Sequence, residues 1–178
     1  MIIEHDDVRL RPFRPGDLAP IVNGLGDWAV SQWVATPPFP YRADHAQAWI
    51  DLVAQDHAGR WPGRFAVADR ESDRLLGSIT VGDRLGHHPE LGYWFLRAAW
   101  GRGIGTRATR AILAYAFDQL DHAVVIARTA PGNRQSSRIL IKTGFRRCGQ
   151  HRLPALNRRG ADYLLDYILS REAWYRND

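Results

Sequence analysis

The run from Glu90 to Thr106, Glu-Leu-Gly-Tyr-Trp-Phe-Leu-Arg-Ala-Ala-Trp-Gly-Arg-Gly-Ile-Gly-Thr, constrains the fold more than any other part of the chain. Its first half is strand-like, and its second half places Gly101, Gly103 and Gly105 at alternate positions. Ala108, Ala111, Ile112, Tyr115 and Ala116 then recur at helical spacing as far as Leu120. Glycines in a strand-to-helix turn let successive backbone N–H groups converge on one point, and the helix N-terminus adds partial positive charge. Such a turn suits a phosphate, with Arg102 and Arg107 in or beside it supplying further charge. The same glycines also suit a tight turn that binds nothing.

Rival loops fail on spacing. A P-loop needs Gly followed by Lys, but the one lysine, Lys142, follows Ile141. A dinucleotide fingerprint needs glycine at 106, where Thr stands, and no serine lies in a Gly-x-Ser-x-Gly elbow.

The flanking segments set the architecture. Val8–Phe13 alternates as a strand, with Pro12 at an edge or an end, and Asp17 reads as the N-cap of a helix over Leu18–Val22 that Gly24 should stop. Trp28 to Tyr41, with Pro37, Pro38 and Pro40, is too stiff for helix and too aromatic for a plain linker. A helix follows from Ala43 to about Ala58, then strands at Arg64–Ala68, Leu75–Val81 and Glu90–Leu96 in hairpin order. Ala123–Thr129 reads as a strand buried on both faces, Gln135–Thr143 as a helix, and Phe145–His151 and Tyr163–Leu169 as strands. The expected fold class is α/β, more fully an α+β mixed sheet. It has one central, mostly antiparallel sheet, helices on both faces, and a parallel pair where the helix after Gly105 crosses over. The 178 residues read as a single domain.

Composition narrows the function classes. With 45% hydrophobic and 24% charged residues the chain matches an ordinary globular protein. The single cysteine, Cys148, excludes an internal disulfide and any multi-cysteine zinc site, and no metal site is expected. Glu4, Asp6 and Asp7 follow Met1 where a signal peptide would carry basic residues, and no apolar run could span a bilayer, so the expected location is cytoplasmic. The net charge of +5 is uneven. Residues 1–90 carry 9 basic and 13 acidic side chains, and residues 91–178 carry 15 and 6. One half suits a cationic ligand and the other an anionic one.

Five stretches in order resemble the GNAT superfamily of N-acetyltransferases, in its RimJ/RimL-like branch. They are Leu10-Arg-Pro-Phe-Arg, Leu91-Gly-Tyr-Trp running into Trp100–Gly105, Asn133-Arg-Gln-Ser136, Leu140-Ile-Lys-Thr-Gly-Phe145, and Asp162 with Tyr167–Trp174, which looks like the last strand. Trp100 stands where the superfamily pattern has Arg or Gln.

The resemblance implies a GNAT-type domain over residues 1–178 that uses acetyl-CoA as co-substrate, with a splayed pair of parallel strands. The pantetheine arm would lie in the splay along Phe95, Leu96 and Arg97, with the thioester oxygen near the Phe95 N–H. The diphosphate would sit on Gly101, Arg102, Gly103, Ile104, Gly105 and Thr106. Asn133 would touch the cofactor, and Arg134, Arg138 and Lys142 would share a helix face within reach of the 3′-phosphate. Ser136 would serve the leaving sulfur.

Acetyl transfer requires a neutral amine. At pH 7 an α-amine of pKa ~8 is neutral about one time in ten, and a lysine of pKa ~10.4 about once in 2,500. A protein N-terminus therefore needs only a modest base, and Glu90, acting through water, is the candidate, with His87 and His88 next. Asp83 could attract the amine, and Trp33, Phe39 and Tyr41 form the expected acceptor-side wall. The expected activity is N-acetyl transfer to a protein or peptide N-terminus first and a small-molecule amine second, by a monomer or homodimer with neither nucleic acid nor membrane as partner. A non-catalytic acyl-CoA sensor and a basic nucleic-acid-binding module are the competing classes.

Overall fold

The computed structural model describes residues 1–58, 63–82, 88–153 and 159–176, with the side chains of 56–58 excepted. Among the described residues eight strands form one open sheet. They are β1 (Ile3–His5), β2 (Val8–Arg11), β3 (Arg64–Asp69), β4 (Leu75–Gly82), β5 (Glu90–Phe95), β6 (Val124–Thr129), β7 (Arg146–Arg152) and β8 (Tyr163–Ser170). Their order is β1-β2-β3-β4-β5-β6-β8-β7, and every neighbouring pair is antiparallel except β5 with β6. The helices are α1 (Leu18–Gly26), α2 (Trp28–Ser31), α3 (Ala43–Ala58), α4 (Ile104–Asp118), α5 (Arg134–Lys142) and α6 (Arg171–Arg176). The expected mixed sheet with helices on both faces is the observed fold.

Strand alternation divides the core. Phe65 and Val67 of β3 join the cluster under α4, with Ile104, Ala108, Ile112 and Leu140, while Ala66 between them joins Ile21, Leu25, Val30 and Ile50 under α1–α3. At the rim of the second cluster Arg11, 2% exposed, spends its donors on both Asp17 oxygens (2.8 and 2.9 Å), the Asp73 carboxylate and carbonyl, and the Pro12 carbonyl.

Several local readings change. Asp17 stands at the N-cap of α1 as expected, but its side chain makes no cap hydrogen bond there, because its carboxylate is taken by Arg11 and by the Arg14 N–H at 2.8 Å. Helix α1 runs past Gly24 to Gly26. A Cβ at Gly24 would stand 2.5 Å from Leu96 and 2.9 Å from Trp94, so this glycine permits close helix-to-strand packing and does not stop the helix. The Trp28–Tyr41 stretch opens with one helical turn, α2, capped by the Asp27 side chain at the Ala29 N–H (2.8 Å), because its prolines begin only at 37. β6 is not buried on both faces but alternates, with Val125, Ala127 and Thr129 inside. The last strand ends at Ser170, and α6 then packs Trp174 on Phe117, ring centroids 6.0 Å apart.

Candidate active site

The site begins where two strands part. β5 and β6 pair in parallel at only two positions, Glu90 with Ile126 and Leu91 with Ala127, after which each goes its own way. The Leu96 N–H donates to the Leu76 carbonyl at 2.8 Å, so in the antiparallel alternation the even-numbered residues of β5 bond to β4. Tyr93 and Phe95 therefore turn their backbone groups toward the wedge between β5 and β6. The Phe95 carbonyl accepts from the Trp100 indole at 3.0 Å, so the backbone donors directed at the wedge are the N–H groups of Tyr93 and Phe95. The Leu96 N–H is spent on β4 and is no donor to the wedge. Arg97 is exposed in the 3₁₀ turn Arg97–Ala99 that carries the chain away.

That turn delivers the glycine loop. Gly101 (φ +72°) and Gly103 (φ +77°) both take the left-handed conformation, and Gly103 is the N-cap of α4. Among the described residues no side chain caps α4, so the N–H groups of Ile104 and Gly105 are left at the loop. Gly105 is close-packed instead: a Cβ there would stand 2.6 Å from Ile139 of α5 and 3.2 Å from Phe95. Arg107 folds back to brace the loop, donating to both Asp7 oxygens (2.5 and 3.0 Å) and to the Arg102 carbonyl (2.8 Å).

A depression of about 380 Å³ opens beside this loop, lined by Asp6, Gly103, Thr106, Arg107, Arg110 and Lys142. Of the three cations expected to reach a 3′-phosphate, Lys142 is at this depression. Exposed Arg138 and Arg134 do not line it, and Arg110 of α4, which the spacing of α5 could not reveal, does. The cationic lining, uncapped helix and left-handed glycines fit a polyphosphate.

At the head of β5, Glu90 accepts from Arg128 Nη1 at 2.8 Å, and Arg128 Nε donates to Asp166 at 3.3 Å. Sequence reasoning overlooked both partners, although an arginine inside the apolar run Ala123–Thr129 was the available signal. On α5, Asn133 is the N-cap, its side chain accepting from the Ser136 N–H at 3.1 Å. The Ser136 hydroxyl is thereby free of capping duty and shares a hydrogen bond of 3.0 Å with the Tyr93 hydroxyl. Desolvation raises the Tyr93 phenol well above its ordinary range, against a smaller opposing pull from the bond to Ser136.

The acceptor-side residues separate. A Cβ on Gly132, one residue before Asn133, would lie 4.0 Å from the Trp33 ring, so Trp33 sits beside the entry to α5. Arg159 lies over that ring at 4.9 Å and donates to Gln32 at 2.7 Å. Tyr41 is no part of a wall. It is 8% exposed in the cluster under α1–α3, where burial raises its phenol. Phe39 is 46% exposed and meets Trp28 edge-on at 5.1 Å. His88 is exposed, and Asp83 and His87 lie outside the described residues.

Comparison with known proteins gives the family and agrees with the fold. A family model described as an acetyltransferase (GNAT) domain matches residues 7–146. An uncharacterized N-acetyltransferase of Bacillus subtilis, YnaD, is 27% identical over 168 residues, 93% of this chain and 94% of that protein. The ribosomal-protein-S5-alanine acetyltransferase of Vibrio fischeri superposes with a TM-score of 0.81 at 17% identity, over 98% of each chain. Mycobacterium smegmatis RimJ in complex with CoA-disulfide gives 0.78 at 21% identity, over 99% of this chain and 91% of that one. No described helix is long and apolar enough to cross a membrane.

Proposed function

The chain belongs to the acetyltransferase (GNAT) domain family of N-acetyltransferases, and from that premise we propose that it acetylates a primary amine from acetyl-CoA, a protein or peptide N-terminus before a small molecule. The observation that carries the cofactor reading is the wedge between β5 and β6 ending at an uncapped helix whose loop holds two left-handed glycines. An elongated ligand with phosphates at one end and a reactive group at the other matches that layout. Gly101, Arg102, Gly103, Ile104, Gly105 and Thr106 would hold the diphosphate, Lys142 and Arg110 the remaining phosphate charge, and Asn133 the arm. When bound, acetyl-CoA supplies an acetyl group on a thiol leaving group.

The chain's own residues do the rest. The Phe95 N–H, directed into the wedge, donates to the thioester oxygen as it gains charge. Glu90 accepts the amine proton through water, and with Asp166 it makes the head of the wedge attractive to an ammonium ion. Ser136 donates to the leaving sulfur, since Asn133 has taken over the cap. Trp33 flanks the acceptor's approach, and Asp83 would attract the amine.

The preference for an N-terminus draws on the weak base required by an α-amine and on the RimJ/RimL-like motifs, which also suggest that branch. A cytoplasmic monomer or homodimer that works without nucleic acid or membrane is part of the same proposal. Release of free coenzyme A that depends on an added amine tests it, and a panel of peptides and small amines that all leave acetyl-CoA intact would overturn it.

A further inference from the structure

The Tyr93 hydroxyl has a single proton and two acceptors in reach, the Ser136 carbonyl at 3.2 Å and Ser136 Oγ at 3.0 Å. The carbonyl belongs to α5, where the helical ladder supplies it with the N–H four residues on. Oγ has no such partner in the ladder. When the phenol proton lies on Oγ, the Ser136 proton must point away from Tyr93. Passing the phenol proton between the two acceptors requires only an O–H rotation and no movement of heavy atoms.

We propose that Tyr93 is a positioning residue for the reaction. Its phenol donates to Ser136 Oγ and so commits the Ser136 O–H to the leaving sulfur. Burial keeps the phenol protonated through the physiological range, so it remains a donor. This inference rests on the reading of Ser136 given above and adds a second hydroxyl to it. The bond from the carbonyl carbon to sulfur breaks with its electron pair on sulfur. The proton shed by the attacking nitrogen, taken up by Glu90 through water, is returned through water to the sulfur, so the thiol leaves neutral, Glu90 is again a carboxylate and both hydroxyls keep their protons. Tyr93 is well anchored for this task, with its backbone in β5 and its ring 5.5 Å from that of Phe95.

The test reads the thiol of bound coenzyme A and needs no acceptor. Coenzyme A is titrated on the wild-type chain, Tyr93→Phe, Ser136→Ala and the double variant, with thiolate followed by its ultraviolet absorbance. A hydroxyl donating to the thiolate lowers the thiol's proton affinity, and losing it cuts the thiolate-to-thiol ratio by on the order of tenfold at a given pH. The expected result is a loss of that size in each single variant and none beyond Ser136→Ala in the double variant, because the two act as one unit. Tyr93→Phe keeps the ring, so its contact with Phe95 survives. If Ser136→Ala shifts and Tyr93→Phe titrates as wild type, or if the two losses multiply, the Tyr93 inference is overturned and the Ser136 reading stands. If Ser136→Ala titrates as wild type, both fail. A wild-type chain that takes up no coenzyme A overturns the acetyl-CoA reading itself.

Discussion

Arg128 Nη1 donates to Glu90 Oε2 at 2.8 Å, linking β6 to β5 beside the two residue pairs that hold these strands together. The side chains are 30% and 35% exposed, so the pair contributes no more than about 1 kcal/mol to stability. Its meaning lies in the position of the carboxylate.

If Glu90 acts as a base, Glu90→Gln lowers kcat by about a hundredfold or more with little change in KM for acetyl-CoA, while Arg128→Met retains most activity. If Glu90 merely partners Arg128, the double variant recovers what Glu90→Gln loses. Steady-state kinetics on the three variants separate the two cases, and recovery in the double variant removes Glu90 from the chemistry.

Gly103 and Gly105 should fail in different ways. Gly103→Ala forces a left-handed φ of +77° on alanine and brings its Cβ within 2.7 Å of the Arg107 guanidinium that braces the loop. Strain there should cost about tenfold or more in coenzyme A affinity by calorimetry, with the melting temperature little changed. Gly105→Ala presses on Ile139 and Phe95 and should lower the melting temperature first. The reverse pattern would mean that the loop is a structural turn.

Lys142→Gln and Arg110→Gln should each weaken coenzyme A by about tenfold and dephospho-coenzyme A by less, since the depression they line suits the 3′-phosphate. Arg138→Gln should change neither. Equal losses for both ligands would place the 3′-phosphate elsewhere.

Acid stability tests the ion network around Asp73. Desolvation pushes this carboxyl up, but Arg11, Arg14 and Arg9 together outweigh it and hold it below 3.8. A depressed folded pKa gives stability that is present above the unfolded value and lost as pH falls through the folded one. Thermal stability should therefore fall below about pH 4, and Asp73→Asn should flatten that fall. Arg11→Met should be the severest change, leaving buried Asp17 without its cation at a cost of about 3–5 kcal/mol. Asp73→Asn with an unaltered acid slope would discount the network.

The sequence was most legible where residue type dictates backbone. Gly101, Gly103 and Gly105 announced the tight strand-to-helix turn, whose first two glycines are left-handed in the structure, and the spacing after Gly105 announced α4. Asn133, read as a cofactor contact from its motif, is seen to cap α5. What escaped depends on partners distant in sequence. Gly24 serves Trp94 and Leu96, Asp17 serves Arg11 in preference to its own helix, and Arg128 meets Glu90 and Asp166 from two other strands. Tyr41, expected in the acceptor-side wall, is in fact core, because one-dimensional periodicity is silent in a proline-rich stretch.

The most direct measurement incubates the chain with acetyl-CoA and a mixture of peptides with free N-termini, the same peptides blocked at the N-terminus but carrying lysine, and simple primary amines. Mass spectrometry then locates any acetyl group. The expected result is acetyl on the free α-amines, with thiol released in equal amount and the blocked peptides untouched. Acetyl found only on lysine or on the small amines, or acetyl-CoA left intact throughout, would contradict it.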